Sequence, residues 1–373
     1  MENVRNKNID IVKSLAIMMV VLGHCGFPLR GIFSLFHVPI FFMASGYCYN
    51  SNHSKSIKDI LKLVKKRVKQ LYVPFILINI MLILFHNFFI KINFYTNNNL
   101  FLTLSTGNSY GLSDFYGIRD IIKNIVYVLL FRNEEQLAGA TWFLRVIFLI
   151  NIAYAINSYL INKILKNKKG KNIVHFIISV IFLMFGYYCS KHGRLLCWNL
   201  STFFSSYILF ELGYLISNIN IKYKHISLIY VICLISFFLL SFISKINFVS
   251  LNINQYSNPI SLICISLLGF IFTYSIAILI IRYSKKVVDL IVDIGKNTIY
   301  ILFLHFLAFK LITYIQLRIY NLPNYSLASF PTLYINNGWW ILYFLTGIII
   351  PMIICKTLKY CKERTHEKYS NNK

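Results

Sequence analysis

Carboxylates are scarce in this chain: its 373 residues hold 12 Asp and Glu against 38 Lys and Arg. Asp10, Glu211 and Asp293 are the acids that fall in or beside apolar runs. That is poor equipment for the metal and sugar-nucleotide chemistry of a membrane-embedded glycosyltransferase, which is therefore disfavoured. Long hydrophilic stretches are also missing, so no soluble domain of useful size fits between the apolar runs. No small-residue cleavage site follows the first run, Ile9–Phe27, and a second run comes close behind; the first reads as a retained helix rather than a signal peptide. No internal repeat is visible, which weakens the case for an inverted-repeat transporter. The 8 cysteines show no metal-ligand spacing, and no metal is expected. Cys25, Cys48, Cys233, Cys264 and Cys355 read as small apolar packing groups, and a disulfide between Cys189 and Cys197 is left open.

What is present is grease and positive charge. Apolar residues make up 57% and aromatics 17% of the chain, at a mean hydropathy of +0.62, where soluble domains sit near ~45–50% apolar. Ten spans are read at 9–27, 32–49, 72–90, 141–160, 173–190, 200–217, 226–244, 259–281, 294–316 and 338–357, each close to the ~20 residues a bilayer needs. With the N-terminus in the cytoplasm, the inward segments, counting Lys356 at the inner end of the last span, hold 25 basic residues and the outward ones nine, as the positive-inside rule requires. The +26 net charge is thus a signal of topology, and no nucleic-acid partner is expected. The expected fold is all-α: a polytopic membrane protein of about ten helices, one domain over 1–373, both termini cytoplasmic. Segment 51–70 reads equally well as an amphipathic helix on the inner leaflet or as an ordinary basic loop. Segment 91–140 is the longest outward loop, and 358–373 a basic tail.

Ionisable residues inside membrane helices face the bundle interior or a water-filled cavity and are candidates for function. Span one carries Asp10, Lys13 and His24. Asp10 and Lys13 are three apart and share a face. His24 lies eleven residues beyond Lys13, about 16 Å and three turns on, again on that face. His37 on span two falls at a depth similar to His24, and the short connection makes the two helices antiparallel neighbours. Trp142 and Arg145 lie in the outer half of span four, His305 near the middle of span nine, and Lys296 at its inner end. Together these groups outline a polar passage, basic at the inner end and histidine-lined toward the outside. A cation suits an anionic cytoplasmic compound, and imidazole suits proton transfer from a hydroxyl.

The stretches "RNKNIDIVKSLAIMMVVLGH" and "FHVPIFFMASGYCYN" resemble the integral-membrane acyltransferase family 3, in particular its fucose 4-O-acetylase-like branch. Arg5, Asp10, Lys13 and His24 fit its opening spacing. Phe36, His37, Pro39, Phe41, Phe42, Ser45 and Gly46 fit its second-helix signature, and "GATWFL" and "GKNTIYILFLH" look like its later landmarks. The resemblance implies transfer of an acyl group, usually acetyl from cytoplasmic acetyl-CoA, to a carbohydrate such as a capsule, O-antigen or lipid-linked sugar, at the inner membrane of a bacterium. It implies His24 as base with His37 and Asp10 in the catalytic group, Lys13, Arg5 and Lys296 toward the acyl donor, and Trp142, Arg145 and His305 toward the acceptor. Two departures stand out. Lys13-Ser14 replaces the commoner Arg-Gly, keeping charge but losing bidentate phosphate geometry, and Arg145 stands where many members carry a Glu. The alternative class is a transporter or flippase for a polar glycolipid using the same passage.

Overall fold

In the computed structural model, which describes residues 6–103, 111–219 and 225–370, helices follow the apolar runs. In chain order they are α1 (Lys7–His24), α2 (Arg30–Phe33), α3 (His37–Tyr47), α4 (Ile57–Arg67), α5 (Val73–Leu84), α6 (His86–Lys91), α7 (Ile118–Leu129), α8 (Trp142–Ile164), α9 (Lys168–Lys191), α10 (Leu200–Ser217), α11 (Ile226–Ile243), α12 (Pro259–Ile280), α13 (Lys285–Lys296), α14 (Thr298–Ile319) and α15 (Trp339–Ser370). Among the described residues the strands are β1 (Val249–Ser250) and β2 (Gln255–Tyr256), an antiparallel hairpin. Eight helices there are long and apolar enough to cross a membrane. The chain is an all-α, multi-pass membrane protein.

Three spans differ from expectation, each for a local reason. Span 32–49 is divided into α2 and the 11-residue α3, the latter about 16 Å long at 1.5 Å per residue. The first turn of a helix is where a proline costs least, because its missing N–H would find no partner anyway; Pro39 sits there in α3, which begins at His37. Span 72–90 does not stand apart from 51–70: one helical rod runs over Ile57–Leu84, through a π-turn at Val68–Tyr72. Pro74 has no N–H to offer the carbonyl of Gln70, and the ladder loosens in the residues just before it. Of the two readings of 51–70, the helix is the one realised. Span 294–316 starts instead at Thr298, because Asn297 ends α13, its amide donating to the Asp293 carbonyl and carboxylate at 2.8 Å each. Lys359 of α15 caps the same residue, Nζ to Asn297 Oδ1 at 2.6 Å.

Lipid chains are as apolar as leucine, so close packing rather than exclusion of water holds such helices together. At the α3–α10 crossing two glycines let backbones touch: a Cβ on Gly46 would lie 1.9 Å from the Phe210 carbonyl oxygen, and one on Gly213 2.0 Å from that of Met43. Helix α1 is wrapped by α3, α12, α13, α14 and α15, with Ile11, Val12, Ile17 and Val21 fully buried. On α11, by contrast, Leu228, Leu234, Phe238 and Phe242 all point outward, as befits a helix against lipid. Cys189 and Cys197 are free thiols, so the disulfide left open by the sequence is not formed.

Candidate active site

Three helix ends meet at one cavity of about 610 Å³. His24 is the last residue of α1, His37 the first of α3 and Trp142 the first of α8, and all three side chains line it. Helix α1 stops here because Gly26 turns the chain with φ +78°, a left-handed conformation that favours glycine; a Cβ there would also strike Ile335 at 2.6 Å. The remaining walls are Ser34, the tip of the β1–β2 hairpin at Leu251 and Asn252, and Phe330.

The ring nitrogens are differently committed. His37 Nδ1 lies 2.9 Å from the Phe33 carbonyl oxygen. A carbonyl can only accept, so Nδ1 carries the proton and the neutral ring keeps its lone pair on Nε2. Neither nitrogen of His24 is taken up by a hydrogen bond among the described residues. His305 stacks behind His24, ring centroids 5.5 Å apart at 27°, and donates Nδ1 to the Ile301 carbonyl at 2.9 Å. It is fully buried, and its Nε2 has no hydrogen-bond partner among the described residues. Two histidines thus face the cavity, with a third supporting one of them.

A second cavity, about 340 Å³, lies further toward the N-terminal end of α1. Lys13, Arg67 and Lys296 line it, and no carboxylate does among the described residues. Arg67 donates Nη1 to Gln70 Oε1 at 3.2 Å, while its Nε is buried without a partner among the described residues; Lys13 Nζ rests 4.0 Å from Cys48 Sγ. Three cations around one hollow whose described lining holds no carboxylate make a receptor for an anion, and a guanidinium offers phosphate a planar fork. Phe143 lines both cavities, and it stacks on Phe41 with centroids 5.2 Å apart at 26°. The two hollows are therefore neighbours along α1, parted by an aromatic pair.

Not every sequence-derived candidate comes to these cavities. Arg5 lies outside the described residues. Asp10 is buried, and its backbone carbonyl touches α13 at Gly295; fourteen residues of helix, about 21 Å, keep it away from His24. Arg145, expected toward the acceptor, turns away: Nη2 holds Glu134 Oε2 at 2.6 Å and Nη1 meets the Arg132 carbonyl. Burial pushes the Glu134 carboxyl up, and the facing guanidinium opposes that. The sequence offered no acid near Arg145, because its partner is in the preceding loop. Arg67 was missed as a site residue, since its segment read as a membrane surface. The clue was that its helical spacing, Val64, Val68, Leu71, runs unbroken into the apolar stretch. The hairpin and the Phe330 loop carried no signal linking them to the histidines.

A family model described as an acyltransferase domain matches residues 6–356, nearly the whole chain. Neither a curated protein nor a solved structure shows significant similarity to it.

Proposed function

The chain belongs to the acyltransferase 3 family, and from that premise we propose that it is a membrane O-acetyltransferase carrying an acetyl group from cytoplasmic acetyl-CoA to a hydroxyl of a cell-surface carbohydrate, in the inner membrane of a bacterium. The observation that carries this is the pairing of two unlike cavities along α1. The basic one suits a donor rich in phosphate, and the histidine one suits a hydroxyl that must lose a proton.

Acetyl-CoA supplies an activated acyl thioester. Lys13, Arg67 and Lys296 hold its phosphates by charge-assisted hydrogen bonds, and the Phe41–Phe143 pair stands where the acyl arm has to pass. In the other cavity His24 takes the proton of the acceptor hydroxyl as general base. His305, stacked against it, fixes the plane of the ring. His37 presents its Nε2 lone pair to the same space and orients the acceptor hydroxyl. The proton taken from the hydroxyl leaves with the thiol when the C–S bond breaks, so His24 is returned neutral. Trp142 offers the acceptor ring an apolar face.

The test is mass spectrometry of surface glycans from a strain deleted for the gene and complemented with wild type or with His24→Ala. Wild type restores an acetyl mass increment and His24→Ala does not. Restoration by His24→Ala would remove that histidine from the chemistry, and an unchanged glycan in the deletion strain would remove the carbohydrate acceptor.

A further inference from the structure

A third cavity, about 220 Å³, adjoins the histidine cavity in the outward segment that precedes α8. Gln136 lines it, while Gly139 and Ala140 of the same 3₁₀ segment, Gln136–Thr141, line the histidine cavity. At the ~2.0 Å rise of a 3₁₀ helix, three or four residues set the two linings about 6–8 Å apart.

Its floor is rigid. His86 stacks on Tyr116 with ring centroids 3.5 Å apart at 6° and meets the Asp114 carbonyl at 3.1 Å through Nε2. The buried Glu135 takes the Tyr116 hydroxyl at 3.2 Å, lies 3.5 Å from His86 Nδ1 and donates its backbone N–H to Asn79 at 2.8 Å. Asn87 clasps the Tyr116 backbone in both directions, at 2.9 and 2.7 Å. The open groups sit above that floor. Asn124, Asn133 and Gln136 present side-chain amides and Ser113 a hydroxyl, and among the described residues none of the four side chains is taken up by a hydrogen bond.

Both carboxylates are occupied, Glu134 by Arg145 and Glu135 by His86 and Tyr116. No three metal-ligating side chains gather among the described residues. Among the described residues the lining holds no Lys or Arg, and the nearby Arg145 is spent on Glu134, so an anion would meet no full positive charge there. What remains is a small polar hollow with donors and acceptors intermixed, the lining that recognises a neutral polyhydroxylated ring.

We propose that this hollow is a second carbohydrate subsite, holding a sugar next to the one whose hydroxyl is presented to His24, so that the acceptor is an oligosaccharide rather than a free monosaccharide. This rests on the carbohydrate acceptor proposed above and adds its minimum length. Binding energy gathered at the remote sugar serves to position the reacting one, so a truncated acceptor loses rate as well as affinity.

The test uses full-length protein in detergent with acetyl-CoA. The acceptors are the host's surface glycan, deacetylated by alkali and cut into single sugars and short fragments of two or more. Wild-type kcat/KM for the fragments is expected to exceed that for the single sugars by at least about tenfold. Asn124→Leu and Gln136→Leu each collapse that ratio toward one, chiefly through the KM of the fragments, and Asn124→Gln recovers part of it. Neither leucine removes a hydrogen bond that the fold uses, and thermal unfolding verifies that both variants fold. Equal kcat/KM for single sugars and fragments in the wild type overturns the second subsite alone, as does a ratio that survives both leucine variants. Acetyl transfer to no acceptor at all overturns the acceptor assignment and this inference with it.

Discussion

His24 and His37 owe their positions to the residues that end their helices, Gly26 after one and Pro39 inside the first turn of the other. Helix spacing puts the two at a common depth in the sequence, but the start of α3 at His37 is not read there, since span 32–49 runs through Pro39. Their ring environments were not legible: the Phe33 carbonyl that sets the His37 tautomer lies four residues back, across the break between α2 and α3, and the stacking of His305 on His24 arises from tertiary contact. His24→Gln is expected to lower acyl transfer by about 10²–10⁴-fold, the usual worth of a general base, with an unaltered unfolding temperature. Lys13→Ala, Arg67→Ala and Lys296→Ala are each expected to raise the KM for acetyl-CoA, on the order of tenfold, since each removes one hydrogen bond between charged groups. Added salt should weaken donor binding by the wild type more than by any of these variants, because screening acts on the charges that remain. A donor KM indifferent to all three lysine and arginine changes would take the donor out of the basic cavity. Arg145→Ala should behave otherwise. It strands Glu134 in a largely buried place and costs about 3 kcal/mol of stability, seen as a lower unfolding temperature.

Among the elements, helices were read well where an apolar run was long and uninterrupted and badly where backbone chemistry intervened. The π-turn at Val68–Tyr72 follows from Pro74, and the spacing of Val64, Val68 and Leu71 carries the basic stretch into the same rod, yet nothing in that pattern announces that Arg67 is aimed into a cavity. The break at Asn297 depends on contacts from α15, far along the chain. The two-residue strands of the hairpin are too short for any alternation to show. The α3–α10 crossing is the element-scale feature with most at stake. Helix α3 carries His37 and depends on α10 for its seat. Gly46→Val would drive a side chain into the Phe210 carbonyl and is expected to cost at least about 3 kcal/mol, at the upper end of overpacking penalties. Its signature is a lower yield of folded protein in detergent, with acyl transfer lost in proportion. A Gly46→Val protein as stable as wild type would mean that the helices can part without harm.

At the scale of the whole molecule, the proposed function takes the donor from the basic end and the acceptor from the histidine end. The charge asymmetry carries the expectation that both termini are cytoplasmic. A C-terminal green fluorescent protein fusion should then fluoresce, and alkaline phosphatase in the same place should be inactive; the reverse pattern would invert the assignment of donor and acceptor sides. The overall architecture could be seen in composition and hydropathy, because a bilayer imposes length and polarity on every helix. The division of the passage into two hollows at Phe41 and Phe143 could not, since an aromatic pair in an apolar run looks like core until its neighbours are known. The most direct measurement is transfer of label from radioactive acetyl-CoA to the alkali-deacetylated surface glycan by the purified protein in lipid nanodiscs. Label is expected to appear in the glycan, to be released again by mild alkali as an ester must be, and to be absent with His24→Gln. Glycan that gains no label from the wild-type protein, or gains it equally from His24→Gln, would contradict the proposed function or the role of that histidine, respectively.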